Sequence, residues 1–322
     1  TNPNPIHFGD YQDFHPLKGP MTTQSLRGLN VRSPMHWRGD RTGGSDPGGN
    51  ALAQDQAFMK FNVAFPGLLG RASELPVSDM TKLTQFVLQI QYPPNPVRAF
   101  DGSLTTAQQR GRDLYFGRKT DGDFNCQGCH TLAPLQGYFG TDGQTAFQGG
   151  PQLLKIPHLR NLYQKVGMFG RPATTEFPGD GTPAGAQVRG FGFRHDGSVD
   201  TLARFHGERQ FTMTGAEHQD LEQFLLAYDS NFAPVVGQQL TLASDDAAAG
   251  SRLDLLLARA AAGECELVAK GSVGGVARGW VRESDGLFAS DRASEARVTG
   301  AALRAQALVA GQELTFTCVP PG

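Results

Sequence analysis

Cys126-Gln127-Gly128-Cys129-His130 constrains this chain more than any other stretch. A Cys-x-x-Cys-His run is the attachment pattern of a c-type haem. Two thiols at this spacing reach the two vinyl groups of one porphyrin, and the adjacent imidazole then lies under the iron. Such a cofactor is tuned through its axial ligands, its hydrogen bonds and its burial. Two other chemistries use paired cysteines. A structural zinc site needs four ligands, usually with a second Cys/His pair, and Cys265 and Cys318 stand far downstream and singly. A thioredoxin-like pair expects a strand before it, and here the polar run Gly117-Arg-Lys-Thr-Asp-Gly-Asp123 precedes it.

A haem also suits the composition. Glycine and proline number 41 and 20, so loops should be long, and an apolar macrocycle would supply core that sparse helices do not. Net charge is −2, which gives no reason to expect nucleic acid or an anionic membrane as partner. No apolar run is long enough to span a membrane. Residue 1 is Thr, which reads as a processed or partial product. Haem c is attached outside the cytoplasm, so the expected location is periplasmic or extracellular. There Cys265 and Cys318 are expected to form a disulfide.

Apolar periodicity predicts helices over 51–70, from Ser78 or Asp79 with Leu83, Phe86, Val87 and Ile90 as one stripe, from a cap at Thr105 or Ser103 to Phe116, and over 216–228 with Leu221, Phe224, Leu225 and Tyr228 inward. Gly111 in the third of these is expected to let another helix approach its backbone closely. Short alternating runs after residue 235, such as Glu266-Leu-Val268 and Leu314-Thr-Phe-Thr-Cys318, predict strands.

An internal repeat is present. Leu26-Arg27-Gly28 precedes Met35 at the same step as Leu159-Arg160-Asn161 precedes Met168, and Leu83-Thr-Gln-Phe86 matches Leu221-Glu-Gln-Phe224. The expected domains are therefore 1–98, a partial or degenerate cytochrome c-like unit, 99–235, a cytochrome c domain carrying the motif, and 236–322, an accessory domain. The expected fold class is mainly α, with loop-rich cytochrome c-like domains in tandem and a small β-rich C-terminal domain. Met168 is the first choice for a second axial ligand and His195 the runner-up, ahead of Met213 and His206. Arg160 and Arg27 are candidates for haem carboxylates. Met35 and His36 are candidates for a second haem, whose own attachment motif would lie upstream of residue 1. Trp37 reads as core or as a bridge between haems.

These residues together resemble the bacterial di-haem cytochrome c peroxidase superfamily, in a branch found in large secreted bacterial proteins. Leu159-Arg160-Asn161 and Phe193-Arg194-His195-Asp196-Gly197-Ser198 look like its Leu-Arg-Asn and Phe-His-Asp-Gly segments, and His36-Trp37-Arg38-Gly39-Asp40-Arg41 looks like its Phe-Trp-Asp-Gly-Arg segment. The likeness covers about residues 20–235. It implies an electron-transfer haem at Cys126 and Cys129, with the peroxide-reacting half lacking its attachment motif here. The expected function is electron carriage through haem c, with a redox protein or a neighbouring subunit as partner. The alternatives are a di-haem-type peroxidase and a haem-containing surface or assembly module that forms a homo-oligomer.

Overall fold

The computed structural model describes residues 21–39, 50, 52–147, 153–167, 189–243 and 247–322. The chain divides into two compact units. The first gathers the chain up to Pro93 with Leu104–Asn231, and the second gathers Pro94–Ser103 with Phe232–Gly322.

The first unit is built on short helices: α1 (Gln54–Met59), α2 (Ala64–Leu69), α3 (Val77–Leu88), α4 (Thr106–Gly117), α5 (Cys126–Cys129), α6 (Leu202–His206) and α7 (Gly215–Leu226). Between them run three small ladders. These are β1 (Leu132–Ala133) with β2 (Tyr138–Phe139), β3 (Thr145–Phe147) with β4 (Leu153–Lys155), and the parallel pair β5 (Val166–Gly167) with β6 (Arg189–Gly190).

Helices α4 and α7 form the frame behind the Cys-x-x-Cys-His run. Each begins with a capping box. Thr105 accepts from the Gln108 backbone while the Gln108 side chain accepts from the Thr105 backbone, and Thr214 and Glu217 do the same for α7. Both ends thus satisfy N–H groups that a helix start leaves unpaired. Where they cross, Gly111 meets the backbone of Asp220: a Cβ there would lie 2.0 Å from the Asp220 carbonyl oxygen. Arg110 grips the Asp220 carboxylate through two bonds of 2.6 and 2.7 Å. The face that α7 turns inward is Leu221, Phe224 and Leu225, followed by Tyr228, all nearly fully buried.

On α3 the buried residues are Met80, Thr84 and Val87. The predicted stripe centred on Phe86 is displaced, for Phe86 is 63% exposed. Thr84 enters the core because its hydroxyl donates within its own helix to the Met80 carbonyl at 2.7 Å and lies 3.3 Å from the Met59 sulfur.

The second unit is one antiparallel five-stranded sheet in the order β10-β9-β8-β11-β7, made of β7 (Gln239–Leu242), β8 (Glu266–Val273), β9 (Val276–Arg282), β10 (Phe288–Ser290) and β11 (Glu313–Val319). Helices α8 (Ala247–Ala261) and α9 (Gly300–Ala307) supply Leu253, Leu256, Leu303 and Ala307 to its core, against Leu267, Phe288, Leu314 and Phe316. Strand β11 alternates buried Leu314, Phe316 and Cys318 with partly covered Thr315 and Thr317, the period of a half-buried strand. Cys265 and Cys318 are joined by a disulfide, with Cα atoms 5.5 Å apart.

The fold class expected from the sequence is therefore corrected. The chain is not a mainly α run of tandem cytochrome c-like domains. Among the described residues no helix of the first unit exceeds 12 residues, and the largest regular element is the five-stranded sheet. The expected helices form close to their predicted bounds, but the loops between them close into two- and three-residue ladders, and the second unit is organised on the sheet. Among the described residues, no helix is long and apolar enough to cross a membrane.

Candidate functional site

Helix α5 is a single turn whose start is fixed by Asn125, its side chain accepting from the Gly128 backbone at 2.8 Å. Residues three apart on a helical turn face the same way, so Cys126 and Cys129 share a side. Both line a cavity of about 1780 Å³ in the first unit. This is larger than the roughly 300–1,000 Å³ that holds a drug-sized molecule, and leaves room for a macrocycle.

His130 follows on the same wall. Its backbone N–H donates to the Cys126 carbonyl at 2.8 Å. Its ring Nδ1 lies 2.8 Å from the Gly140 carbonyl oxygen. A carbonyl only accepts, so Nδ1 carries the proton and Nε2 keeps its lone pair, the arrangement metal-bound imidazoles adopt. Gly140 reaches this position with φ +81°, and a Cβ there would lie 2.6 Å from Leu159. Burial holds the His130 pKa down, while the carbonyls of Gly140 and Pro157 pull the other way. From behind, Tyr115 donates to the His130 carbonyl and meets the Tyr228 hydroxyl at 2.8 Å.

Burial raises the pKa of both Cys126 and Cys129. A redox or nucleophilic pair needs the opposite, a depressed thiol pKa. Cys265 and Cys318 are bonded to each other, which removes them as partners for a zinc half-site. Among the described residues no group of three or more His, Cys, Asp or Glu is arranged to hold a metal ion. What the site offers is two neutral thiols, one imidazole with a free lone pair, and a large cavity.

The other candidates fall as follows. His195 lines the cavity, its ring edge-on to Trp37 at 6.5 Å. Met35 and His36 line it from the N-terminal segment. Met35 is buried and His36 sits at φ +65°, the left-handed region that a non-glycine residue occupies at a cost. Arg160 lines it and is fully buried. Met168 lies outside the described residues. Of the lesser candidates, His206 is on the wall and Met213 is not.

Sequence reasoning missed Gly140, whose carbonyl orients the imidazole; a backbone acceptor leaves no mark in residue type. It also missed Lys155 and Lys165 on the wall, and took Asn161 only as part of the Leu159-Arg160-Asn161 segment. The one available signal was Lys155 standing between two apolar residues, Leu154 and Ile156, both of which are buried.

His206 gives a pH prediction. Its ring is 3% exposed, Nδ1 has no hydrogen-bond partner, and it stacks on His218 at 6.2 Å. Burial pushes its pKa from 6.5 down to about 3. Below pH 6.5 the unfolded chain therefore takes up a proton that the folded chain refuses, and stability falls as pH drops from 6.5 towards about 3. Urea midpoints at about pH 7 and about pH 5 should differ in the wild type, and His206→Phe should narrow the difference.

No family model matches the chain, and no curated protein matches it. Among solved structures, Kuenenia stuttgartiensis hydrazine synthase pressurized with 20 bar xenon is similar to it: 19% identity, 64% of this chain and 72% of that one, with a TM-score of 0.41.

Proposed function

We propose that this chain is a c-type cytochrome that carries electrons, with haem joined to Cys126 and Cys129 and ligated by His130. The observation that carries this reading is the His130 ring. Its Nδ1 proton is fixed on the Gly140 carbonyl at 2.8 Å, on a wall it shares with both thiols. When bound there, the haem supplies one-electron exchange at iron. The chain's own part is to hold that group. Cys126 and Cys129 anchor it, His130 presents Nε2, and the Tyr115–Tyr228 pair keeps α4, α7 and the His130 backbone in register. The resemblance to di-haem peroxidases supports the same reading and brings Met168 or His195 as second axial ligand. It also brings a redox protein or a neighbouring subunit as partner, outside the cytoplasm.

A second haem has one observation in its favour: Met35 and His36 reach the same cavity from a different segment.

The test is expression with a c-type maturation system. Covalent haem absorbance should persist through denaturation in the wild type and vanish in Cys126→Ala/Cys129→Ala. Haem that washes out of the wild type would refute the reading. In the oxidised protein, low-temperature EPR should show low-spin iron alone. A substantial high-spin signal would move peroxide reduction to first place.

A further inference from the structure

Among the described residues, the wall between Lys155 and Lys165 gathers positive charge that no acid answers. Arg160 is fully buried between the rings of Tyr92 and Phe139, at 4.8 and 5.1 Å. It donates from Nη1 to Asn231 Oδ1 at 2.7 Å and from Nη2 to the Gly28 carbonyl at 2.8 Å. Its Nε has no acceptor. Beside it, Asn161 is 1% exposed, held at φ +55°, and neither atom of its side-chain amide has a partner. Lys155 is buried, with Nζ over the Trp37 ring at 5.3 Å and bonded to Gln24, which is neutral. All of these, with Lys165, face one cavity.

The cations feel each other. Burial takes Lys155 down to about 7 and Lys165 to about 8, and neighbouring positive charge pushes both the same way. Arg160 falls to about 10, chiefly through burial. The acids on the cavity wall are Asp121 and Glu208. Glu208 is occupied by Arg194 and Gln210. Among the described residues, no carboxylate forms an ion pair with Lys155, Arg160 or Lys165. Buried charges ordinarily come paired, and buried amides come hydrogen-bonded. Three cations without a carboxylate partner among the described residues, with the Arg160 Nε and the Asn161 amide N–H groups left without acceptors, make this part of the cavity lining complementary to an anion with several acceptor oxygens.

We propose that Lys155, Arg160, Asn161 and Lys165 form an oxyanion-binding wall inside the cavity. The oxyanion has two sources. One is the pair of carboxylates borne by a haem held at Cys126, Cys129 and His130, which rests on the reading above. The other is a free small oxyanion entering beside the prosthetic group. Arg160 is pre-set for either. Its plane is clamped by two rings and two acceptors, so binding costs it little side-chain entropy.

The experiment compares the wild-type protein as purified with Lys155→Met/Lys165→Met. Lys155→Arg/Lys165→Arg, which keeps both charges, is the control for folding. Two quantities are read: the resonance Raman bands of the haem carboxylates, and the affinity for inorganic phosphate by calorimetry. If the haem carboxylates are the occupant, their bands shift in the Met variant, hold in the Arg variant, and phosphate does not bind the wild type. If a free oxyanion is the occupant, the bands stay, and phosphate binds the wild type and the Arg variant at least ten-fold more tightly than the Met variant. Bands and phosphate affinity alike in all three proteins would overturn the wall. A wild type that carries no covalent haem would refute the haem reading alone, because the phosphate comparison then still decides the wall.

Discussion

Gly111→Ala should lower the stability of the first unit by about 2–3 kcal/mol, the usual cost of forcing atoms into a packed contact. The added Cβ would sit 2.0 Å from the Asp220 carbonyl oxygen, 2.6 Å from its carbon and 2.9 Å from the Phe224 Cβ. Two of those three atoms are backbone, so no rotamer change relieves the contact and α4 must move off α7. In an unobstructed helix the same replacement would gain roughly 1 kcal/mol, and here the clash outweighs it. Gly117, in the same helix, provides the contrast, because nothing lies within 4 Å of a Cβ there. Gly117→Ala should leave the urea midpoint unchanged or slightly raised. Equal midpoints for the two variants would mean that α4 and α7 do not cross at Gly111. Because Tyr115 on α4 holds the His130 backbone carbonyl, Gly111→Ala should also reduce the yield of haem-loaded protein.

Removing the disulfide should have a comparable effect on the other unit. Cys265 and Cys318 lie 53 residues apart in sequence, and the bond ties the start of the β8 segment to β11. Closing a loop of that length removes chain entropy from the unfolded state worth about 4 kcal/mol. The two residues are also buried, at 4% and 0% exposure, so Cys265→Ala/Cys318→Ala leaves small voids as well. Trp280, buried in the same core, reports the transition by fluorescence once Trp37 is replaced by Phe. The double variant should unfold at much lower urea than its parent. An unchanged midpoint would show that the strand register alone holds the sheet.

How much of this could be read from sequence depended on how local the cause was. The Cys126–His130 run was legible because its chemistry fixes the spacing of three side chains within five residues. Helix α7 was legible because its apolar period, Leu221, Phe224, Leu225 and Tyr228, is the set the core buries. The α3 face was not. Both Leu83–Phe86–Val87 and Met80–Thr84–Val87 are acceptable stripes, and the choice was made by what packs there, Met59 and its neighbours. The expectation of a mainly α chain failed although its helices formed close to their predicted bounds, because it left out the small ladders in the loops between them and gave the five-stranded sheet too little weight. The charged wall was the least legible feature. Lysine and arginine at 155, 160 and 165 look like a solvated surface, and only the folding of distant segments over them makes the burial of Lys155 and Arg160 visible.

The most direct test of the central claim is a mass measurement. Protein matured with haem is denatured and digested, and the mass of the peptide containing Cys126–His130 is recorded. The peptide should carry one haem bound through both thiols, with no free thiol left to alkylate. A peptide of unmodified mass, with Cys126 and Cys129 both open to alkylation, would contradict the account.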